Sequence, residues 1–145
     1  MAVETKNKIA ENATENETEK AARSVLVEFT NNTTRNLVLR DQQATNGKWT
    51  EGEFPPSKIN AGGRARWGTQ SNGIGTGTKG YVVYSIQDAS EKSGDVRMDW
   101  DNPFVGNKSY SGSAPVGFAI NYSGGEGNNA VVYFKLTQPG GEDAS

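Results

Sequence analysis

The chain of 145 residues contains no cysteine and no histidine. Without cysteine, disulfides, thiol nucleophiles and thiolate metal sites are excluded, and without histidine the commonest general base and metal ligand is missing. A catalytic centre would need carboxylates, lysine, tyrosine or serine. Asp95, Asp99 and Asp101 are candidate acid/base carboxylates, but the Asp-Asn step before Pro103 is typical of a turn. We therefore expect a protein that is not an enzyme, with no catalytic residues, no metal and no cofactor.

A strong charge of one sign is also lacking. The 15 basic and 17 acidic side chains give a formal net charge of −2, whereas a nucleic-acid-binding domain would be expected to carry a basic face. The nearest basic cluster, Arg64, Arg66 and Lys79, is typical of solubility charges on strand edges. Nucleic acid is not predicted as a partner.

Long apolar runs are absent as well. No run approaches the ~20 residues of a membrane-spanning helix, and the N-terminus lacks the apolar core of a signal peptide. Residues 1–23 contain five glutamates and four basic residues but no glycine, proline or aromatic residue. They predict a polar leader, flexible or partly helical, with too little apolar surface to offset its ordering entropy. An inserting helix there is rejected because it would need a continuous apolar face.

From Ser24 onward the sequence is typical of β-structure. All 18 glycines lie between Gly47 and Gly141, and segments rich in Gly, Asn and Ser separate short alternating or apolar runs such as Tyr81–Ile86. Seven or more such runs, with no segment of helical periodicity, predict an all-β fold. The architecture expected is an antiparallel β-sandwich of two packed sheets. We place this domain at residues 24–138 and a disordered tail at 139–145.

The three tryptophans and a glycine run are the main candidates for function. Trp100 leads into a proline corner and is predicted to lie in the core, packed against Pro103 and Phe104. For Trp49 and Trp67, core packing and surface exposure both remain open. The Gly73–Gly80 run lacks phosphate-loop spacing, since Gly80 follows Lys79, and it predicts a mobile surface loop.

Aromatic residues near loop ends suggest a binding surface. Trp49, Trp67, Tyr110 and Tyr122 would form a belt along one edge of the sandwich if they were exposed together. Amphipathic rings of this kind partition into membrane interfaces and binding surfaces. A belt of this kind binds lipid headgroups or sugars.

Short motifs between about Ser24 and Thr137 occur in the order and spacing seen in the aegerolysin family, which the chain resembles. They are Asn31-Asn32-Thr33, Gly47-Lys48-Trp49, Ser71-Asn72-Gly73, Thr76-Gly77-Thr78-Lys79-Gly80, Tyr84-Ser85-Ile86 and Asp101-Asn102-Pro103-Phe104. Within the family the chain is particularly similar to the small aegerolysin-like components of Bacillus thuringiensis binary insecticidal crystal toxins. The resemblance implies a compact β-sandwich that binds membranes and acts with a larger pore-forming partner protein.

The resemblance also implies where lipid is bound. In fungal members, which recognise sphingolipid-containing membranes, tryptophans near one end of the sandwich contact lipid, and by position Trp49 resembles one of them. A glutamate that helps set their lipid choice falls near Ser71 and Asn72, where this chain has no acidic residue, so the lipid specificity does not transfer. Together with the aromatic residues, the lipid-binding candidates are Trp49, Trp67, Ser71, Asn72, Tyr110 and Tyr122.

The expected function is thus that of a lipid-recognising component of a pore-forming, insecticidal toxin. A homo-oligomer on the membrane is a further expectation. Without a signal peptide, the protein would be secreted by another route or released from bacterial crystal inclusions, and it would act at the target-cell membrane.

Two alternatives from other classes remain open. A carbohydrate-binding module on a similar sandwich would place aromatic rings beside Asn and Asp side chains. A self-assembling crystal protein would have large self-complementary interfaces and no affinity for liposomes. Membrane insertion of a hairpin around Ser71–Ser85 is the weaker mechanism because this segment is only weakly apolar.

Overall fold

The computed structural model describes residues 21–88 and 92–139, and within them it is a β-sandwich of ten strands. The strands are β1 (Ser24–Asn32), β2 (Leu37–Asn46), β3 (Lys48–Trp49), β4 (Lys58–Ile59), β5 (Arg64–Gln70), β6 (Thr78–Gln87), β7 (Lys92–Asn102), β8 (Ser109–Ser113), β9 (Ala119–Gly124) and β10 (Asn129–Thr137). The prediction of an all-β sandwich is confirmed. The predictions for residues 1–20 and 140–145 lie outside the described residues.

The strands form two five-stranded sheets. The first has the order β3-β5-β1-β10-β9 and the second the order β4-β2-β6-β7-β8. β1 and β10 pair in parallel, from Ser24 beside Asn129 to Asn32 beside Thr137, whereas the other pairs run antiparallel. The first and last described strands are therefore neighbours inside one sheet. The alternation of apolar and polar residues along each strand does not predict this pairing.

Alternating side chains on the central strands build the core. Val27 and Phe29 of β1 and Val132 and Phe134 of β10 all face the second sheet and are buried. The intervening residues of both strands face solvent because successive side chains of a strand point to opposite sides of its sheet.

Trp67 lies at the centre of this core. It is 0% exposed, and its ring centroid is 5.8 Å from that of Phe29 and 5.8 Å from that of Tyr84. The option that Trp67 is a surface aromatic at a loop end is therefore wrong. Its position on β5, opposite the inward-facing Val27, directs the ring between the sheets.

The glycine run is divided between a loop and a strand. Residues 71–77 form the loop, whereas β6 begins at Thr78, so the predicted mobile loop is wrong for residues 78–80. Gly80 packs beneath Trp100, since a Cβ atom at Gly80 would stand 2.8 Å from the indole ring. Glycine is needed there for close approach rather than for mobility. Among the described residues there is no helix long and apolar enough to cross a membrane.

Candidate functional site

Several loops gather at one end of the sandwich. Ser24 pairs with Gln70 on one side and with Asn129 on the other. In the second sheet, Asn102 pairs with Thr78, and its Nδ2 donates to the carbonyl oxygen of Ser24 at 3.1 Å. The two sheets are thus joined where residues 21–23 and the loops 71–77, 103–108 and 125–128 meet. We call this region the loop end.

Arg23 connects two of the loops at this end, 71–77 and 103–108. Its guanidinium carbon lies 4.5 Å from the centre of the Phe104 ring, and its Nη2 donates to the Phe104 carbonyl oxygen at 2.7 Å. The Ser71 amide donates to the Arg23 carbonyl oxygen at 2.8 Å, and the Arg23 amide donates to Ser71 Oγ at 3.1 Å. An exposed cation–π contact contributes about 0.5–1 kcal/mol. Together these bonds fix Phe104 relative to Ser71.

Apolar side chains are exposed on the same two loops. Ile74 is fully exposed, Val105 is 83% exposed and Phe104 is 41% exposed. Ile74 stands between Gly73 and Gly75, both of which have positive φ angles, +132° and +70°. Because glycine adopts such angles without steric cost, the loop can turn sharply and present Ile74 at its tip.

A groove of about 490 Å³ lies between these loops. Ser71 and Asn72, two of the predicted lipid-binding candidates, line it together with Lys48, Ile74 and Phe104. The groove therefore combines polar groups with an apolar wall. This is the composition of a site for an amphipathic ligand.

Gln70 lines this groove and carries a buried acceptor. The residue is buried and lines the groove, yet its Oε1 has no hydrogen-bond partner within residues 21–88 and 92–139. A buried carbonyl oxygen without a partner costs about 1–3 kcal/mol. The Oε1 atom has almost no accessible surface, so a ligand hydroxyl or N–H group in the groove would remove that cost only if the Gln70 side chain turned toward it.

Trp49 lies beside this end of the sandwich, at the edge strand β3. It is half-buried, with its ring centroid 6.0 Å from that of Trp100 in an edge-on contact and 6.2 Å from that of the exposed Phe54. Trp100 is buried, as expected. The ring that contacts it, however, is that of Trp49, and Phe104 is turned toward Arg23 and solvent.

Tyr110 and Tyr122 form a pair at the opposite edge of the sandwich, where β8 meets β9. Their ring centroids are 5.7 Å apart, and Tyr110 Oη donates to the Gly125 carbonyl oxygen at 2.8 Å. Burial is the main cause that raises the pKa of Tyr110, to about 12, and nearby Glu126 acts in the same direction. Tyr122 is exposed on one side and packs on Phe134 on the other.

The predicted belt on a single edge is therefore wrong. Trp67 lies in the core, Trp49 at the β3 edge, and the two tyrosines at the β9 edge, because β3 and β9 are the two ends of one sheet. The large apolar side chains in the groove with Ser71 and Asn72 are instead those of Ile74 and Phe104.

Sequence reasoning did not identify Arg23, Gln70, Ile74 and Val105. A signal was present for the two apolar residues, since Ile74 stands alone among glycines and Val105 follows a proline corner. An apolar residue that belongs to no predicted strand is not expected to point into the core, so its exposure could have been predicted. No comparable signal exists for Arg23 and Gln70, whose roles depend on contacts between distant segments.

No family model matches the chain. A curated relative, an uncharacterised protein of Dictyostelium discoideum, is 30% identical over 120 residues, which amount to 82% of this chain and 10% of that protein. The chain thus spans about a tenth of the length of this relative.

Solved structures with the same architecture are more informative. The lipid binding protein Nakanori superposes with a TM-score of 0.70 at 15% identity, covering 88% of this chain and 80% of Nakanori. The RahU protein, solved with a TRIS molecule, superposes with a TM-score of 0.64 at 18% identity, covering 81% of this chain and 96% of RahU. IP-1A from Alcaligenes faecalis superposes with a TM-score of 0.59 at 16% identity, covering 84% of this chain and 96% of IP-1A. The chain has the β-sandwich fold that these proteins share, one of which is a lipid-binding protein.

Proposed function

We propose that this chain is an aegerolysin-like, non-catalytic protein that recognises membrane lipid and docks onto the bilayer by its loop end. The observation that carries the proposal is the exposure of Ile74, Phe104 and Val105 on two adjacent loops. The fold shared with Nakanori and the motifs shared with aegerolysins support it.

The exposed apolar residues provide the driving force for docking. Full burial of an Ile, Val or Phe side chain contributes about 1.5–3 kcal/mol. Three such side chains at one end therefore give a useful but modest affinity, comparable to other weak membrane anchors. Stable binding needs additional contacts to particular lipid headgroups.

The groove at the loop end would supply these contacts. With Ile74 and Phe104 in the acyl region, a headgroup would lie against Ser71, Asn72 and Lys48. With its side chain turned toward the groove, Gln70 Oε1 would accept a hydrogen bond from a hydroxyl or amide N–H, groups that a sphingolipid-type lipid offers just below its headgroup. The chain has no acidic residue at positions 71 and 72, so its lipid preference would differ from that of members with a glutamate there.

Two groups of aromatic residues on either side of the loop end would add contacts to the membrane interface. Trp49, together with Phe54, lies at the edge of the sandwich next to Lys48, where a tilted molecule would bring it to the interface. The Tyr110–Tyr122 pair lies at the other edge, and Tyr122 is the exposed member. Interfacial tryptophan and tyrosine commonly anchor a protein at headgroup level.

The resemblance to binary toxins extends the proposal to the biological role. After docking, the protein would assemble on the membrane as a homo-oligomer, recruit a larger pore-forming partner protein and so act as one component of an insecticidal toxin. Release from crystal inclusions, or secretion without a signal peptide, would bring it to the target cell. This part rests on the family resemblance alone.

Co-sedimentation with vesicles tests the docking mechanism. The wild type, the double variant Ile74→Ser/Val105→Ser and the control Val116→Ser would be compared on phosphatidylcholine vesicles with and without sphingomyelin and cholesterol. Val116 is as exposed as Ile74 but follows β8 at the opposite end of the sandwich. We expect binding by the wild type and the control, and at least about tenfold weaker binding by the double variant.

Three results would contradict the proposal. They are equal binding by the double variant, an equal loss in the Val116 control, and no binding of the wild type to any vesicle. Circular dichroism of each variant confirms that the sandwich is folded.

Self-assembly is a second candidate, because the same exposed residues at the loop end could pack against another copy of the chain. Sedimentation velocity without lipid separates the two. Concentration-dependent association that disappears in the Ile74→Ser/Val105→Ser variant, together with no vesicle binding, would favour self-assembly.

A further inference from the structure

A second groove lies on the solvent-facing side of the first sheet. It has a volume of about 420 Å³ and is formed where β5, β1, β10 and β9 lie side by side. The pairing of these strands puts Arg64, Thr30, Lys135 and Asn121 in one row across the sheet. The adjacent row contains Glu28, Tyr133 and Ser123. We call this the outer-face groove.

The charged groups of the outer-face groove have no partners in the described part of the chain. None of the side chains of Arg64, Lys135 and Glu28 forms an ion pair or hydrogen bond with another residue of 21–88 or 92–139. The neighbouring Arg66, by contrast, is paired with Glu53 at 3.0 Å. Two cations and one carboxylate leave one net positive charge in the groove.

Tyr133 adds an aromatic surface. The residue is 54% exposed, and its ring packs against the backbone of Gly124, where a Cβ atom would stand 3.2 Å from the ring. The ring is thus held in place by the neighbouring strand while part of its surface remains open. A fixed, exposed tyrosine offers contact area at a small entropic cost.

We propose that the outer-face groove binds an acidic sugar residue, such as a sialic acid, a uronate or a sulfated hexose of a glycan. The C–H face of the sugar ring packs on Tyr133. Arg64 and Lys135 hold the carboxylate or sulfate, for which the planar guanidinium is well suited. Asn121, Ser123 and Glu28 provide amide, hydroxyl and carboxylate groups for the sugar hydroxyls.

The surroundings of the groove favour a sugar over a lipid. The large apolar side chains exposed in or beside it are those of Tyr122, Val131 and Tyr133, which is too little apolar surface to enter a bilayer. The groove lies on the flat side of a sheet, whereas Ile74 and Val105 project from the loop end. A glycan could therefore be held while the loop end contacts the membrane, and sugar binding does not depend on the proposed lipid docking.

An NMR titration of the ¹⁵N-labelled protein tests this inference. The probes are 3′-sialyllactose and a heparin-derived disaccharide, with lactose as the neutral control. We expect the amide signals of residues 28, 30, 64, 121, 133 and 135 to shift with at least one acidic probe and not with lactose. Arg64→Gln and Tyr133→Ala should each weaken that binding at least about tenfold, and the control Lys79→Gln, an exposed cation on the other sheet, should not.

Other results would overturn it. These are the absence of shifts with both acidic probes, equal shifts with lactose, shifts confined to residues 71–75, or unchanged affinity in Arg64→Gln and Tyr133→Ala. Binding to phosphatidylserine vesicles that Arg64→Gln abolishes, without sugar binding, would identify a lipid headgroup as the ligand instead. The Ile74→Ser/Val105→Ser variant should retain sugar binding, so that failure of lipid docking and failure of this inference are distinguishable.

Discussion

The indole nitrogen of Trp100 donates a hydrogen bond of 2.8 Å to Thr69 Oγ1. Trp100 belongs to the second sheet and Thr69 to the first, so this bond joins the two sheets through the core. The hydroxyl of Thr78 lies 2.7 Å from the same oxygen, and all three residues are buried. The sheets are therefore positioned near the loop end by a polar contact as well as by apolar packing.

Replacing Thr69 tests this link. Thr69→Val keeps the shape of the side chain but leaves the Trp100 N–H unpaired, so we expect the free energy of unfolding to fall by about 1–3 kcal/mol. Urea denaturation measures the change. The control is Thr45→Val, whose exposed hydroxyl bonds to a backbone carbonyl at the surface, and it should change stability by less than about 0.5 kcal/mol. Equal effects at the two sites would contradict the importance of the link.

The two tryptophans Trp67 and Trp49 should respond differently to truncation. Trp67 is fully buried, so Trp67→Ala should lower the free energy of unfolding by about 3–5 kcal/mol. Trp49 is half-buried at a strand edge, and Trp49→Ala should cost clearly less. Chemical denaturation gives both values, and a larger loss for Trp49→Ala would contradict the placement of Trp67 in the core.

A milder change at Trp67 separates folding from binding. The Trp67 Nε1 has no hydrogen-bond partner among the described residues, so Trp67→Phe removes no bond. We expect this variant to fold and to bind vesicles like the wild type. Loss of vesicle binding by folded Trp67→Phe would instead indicate that Trp67 becomes exposed at the membrane.

Position 125 favours glycine for two reasons, its positive φ angle and the close approach of the Tyr110 ring. Its φ angle is +92°, and a Cβ atom would stand 2.4 Å from Tyr110 Cε2. Gly127 has a nearly equal φ of +91° but open space around it. Gly127→Ala should therefore cost about 1 kcal/mol of backbone strain, and Gly125→Ala about 1–3 kcal/mol more because of the clash. Thermal or urea denaturation of the two variants tests the difference, and similar losses would contradict the close packing of Tyr110.

Tyr110 should make the protein sensitive to alkali. Its pKa in the folded protein is about 12, above the ordinary value of 10.0, so the unfolded chain loses this proton first. Stability is unaffected below about pH 9 and falls as the pH rises from 10 toward 12, and because the side chain is half exposed, solvent screening keeps the loss small. The pKa of Tyr84 is also raised by burial and acts in the same direction.

The variant Tyr110→Phe isolates this contribution. At pH 8 it should be less stable by about 0.5–1.5 kcal/mol, because the hydrogen bond to the Gly125 carbonyl is lost. Between pH 9 and 11 its stability should fall less steeply than that of the wild type. Parallel pH profiles from urea denaturation would contradict the raised pKa of Tyr110.

Alternating and continuous apolar runs were sufficient to predict the fold class and most of the strands. Val25, Val27 and Phe29 predict the inner face of β1, because side chains two residues apart share one face of a strand. The nearly continuous apolar run Tyr81–Ile86 predicts most of β6. β8 was not predicted, since Ser109–Ser113 contains serine, glycine and one tyrosine and becomes a strand by pairing with β7. The absence of cysteine and histidine narrowed the possible chemistry without any knowledge of the fold.

The functional surfaces depended on tertiary structure. The sequence alone singled out Ser71, Asn72 and the aromatic residues. It left open whether Trp67 is buried or exposed, because the alternation along a strand does not tell which of its two faces is covered by the other sheet. That Ser71 lies with Ile74 and Phe104 follows from Arg23, which bonds to two loops that are distant in sequence. The row from Arg64 to Asn121 follows from pairing that brings the first and last described strands together. Local composition thus determined the elements, and long-range pairing decided which side chains meet.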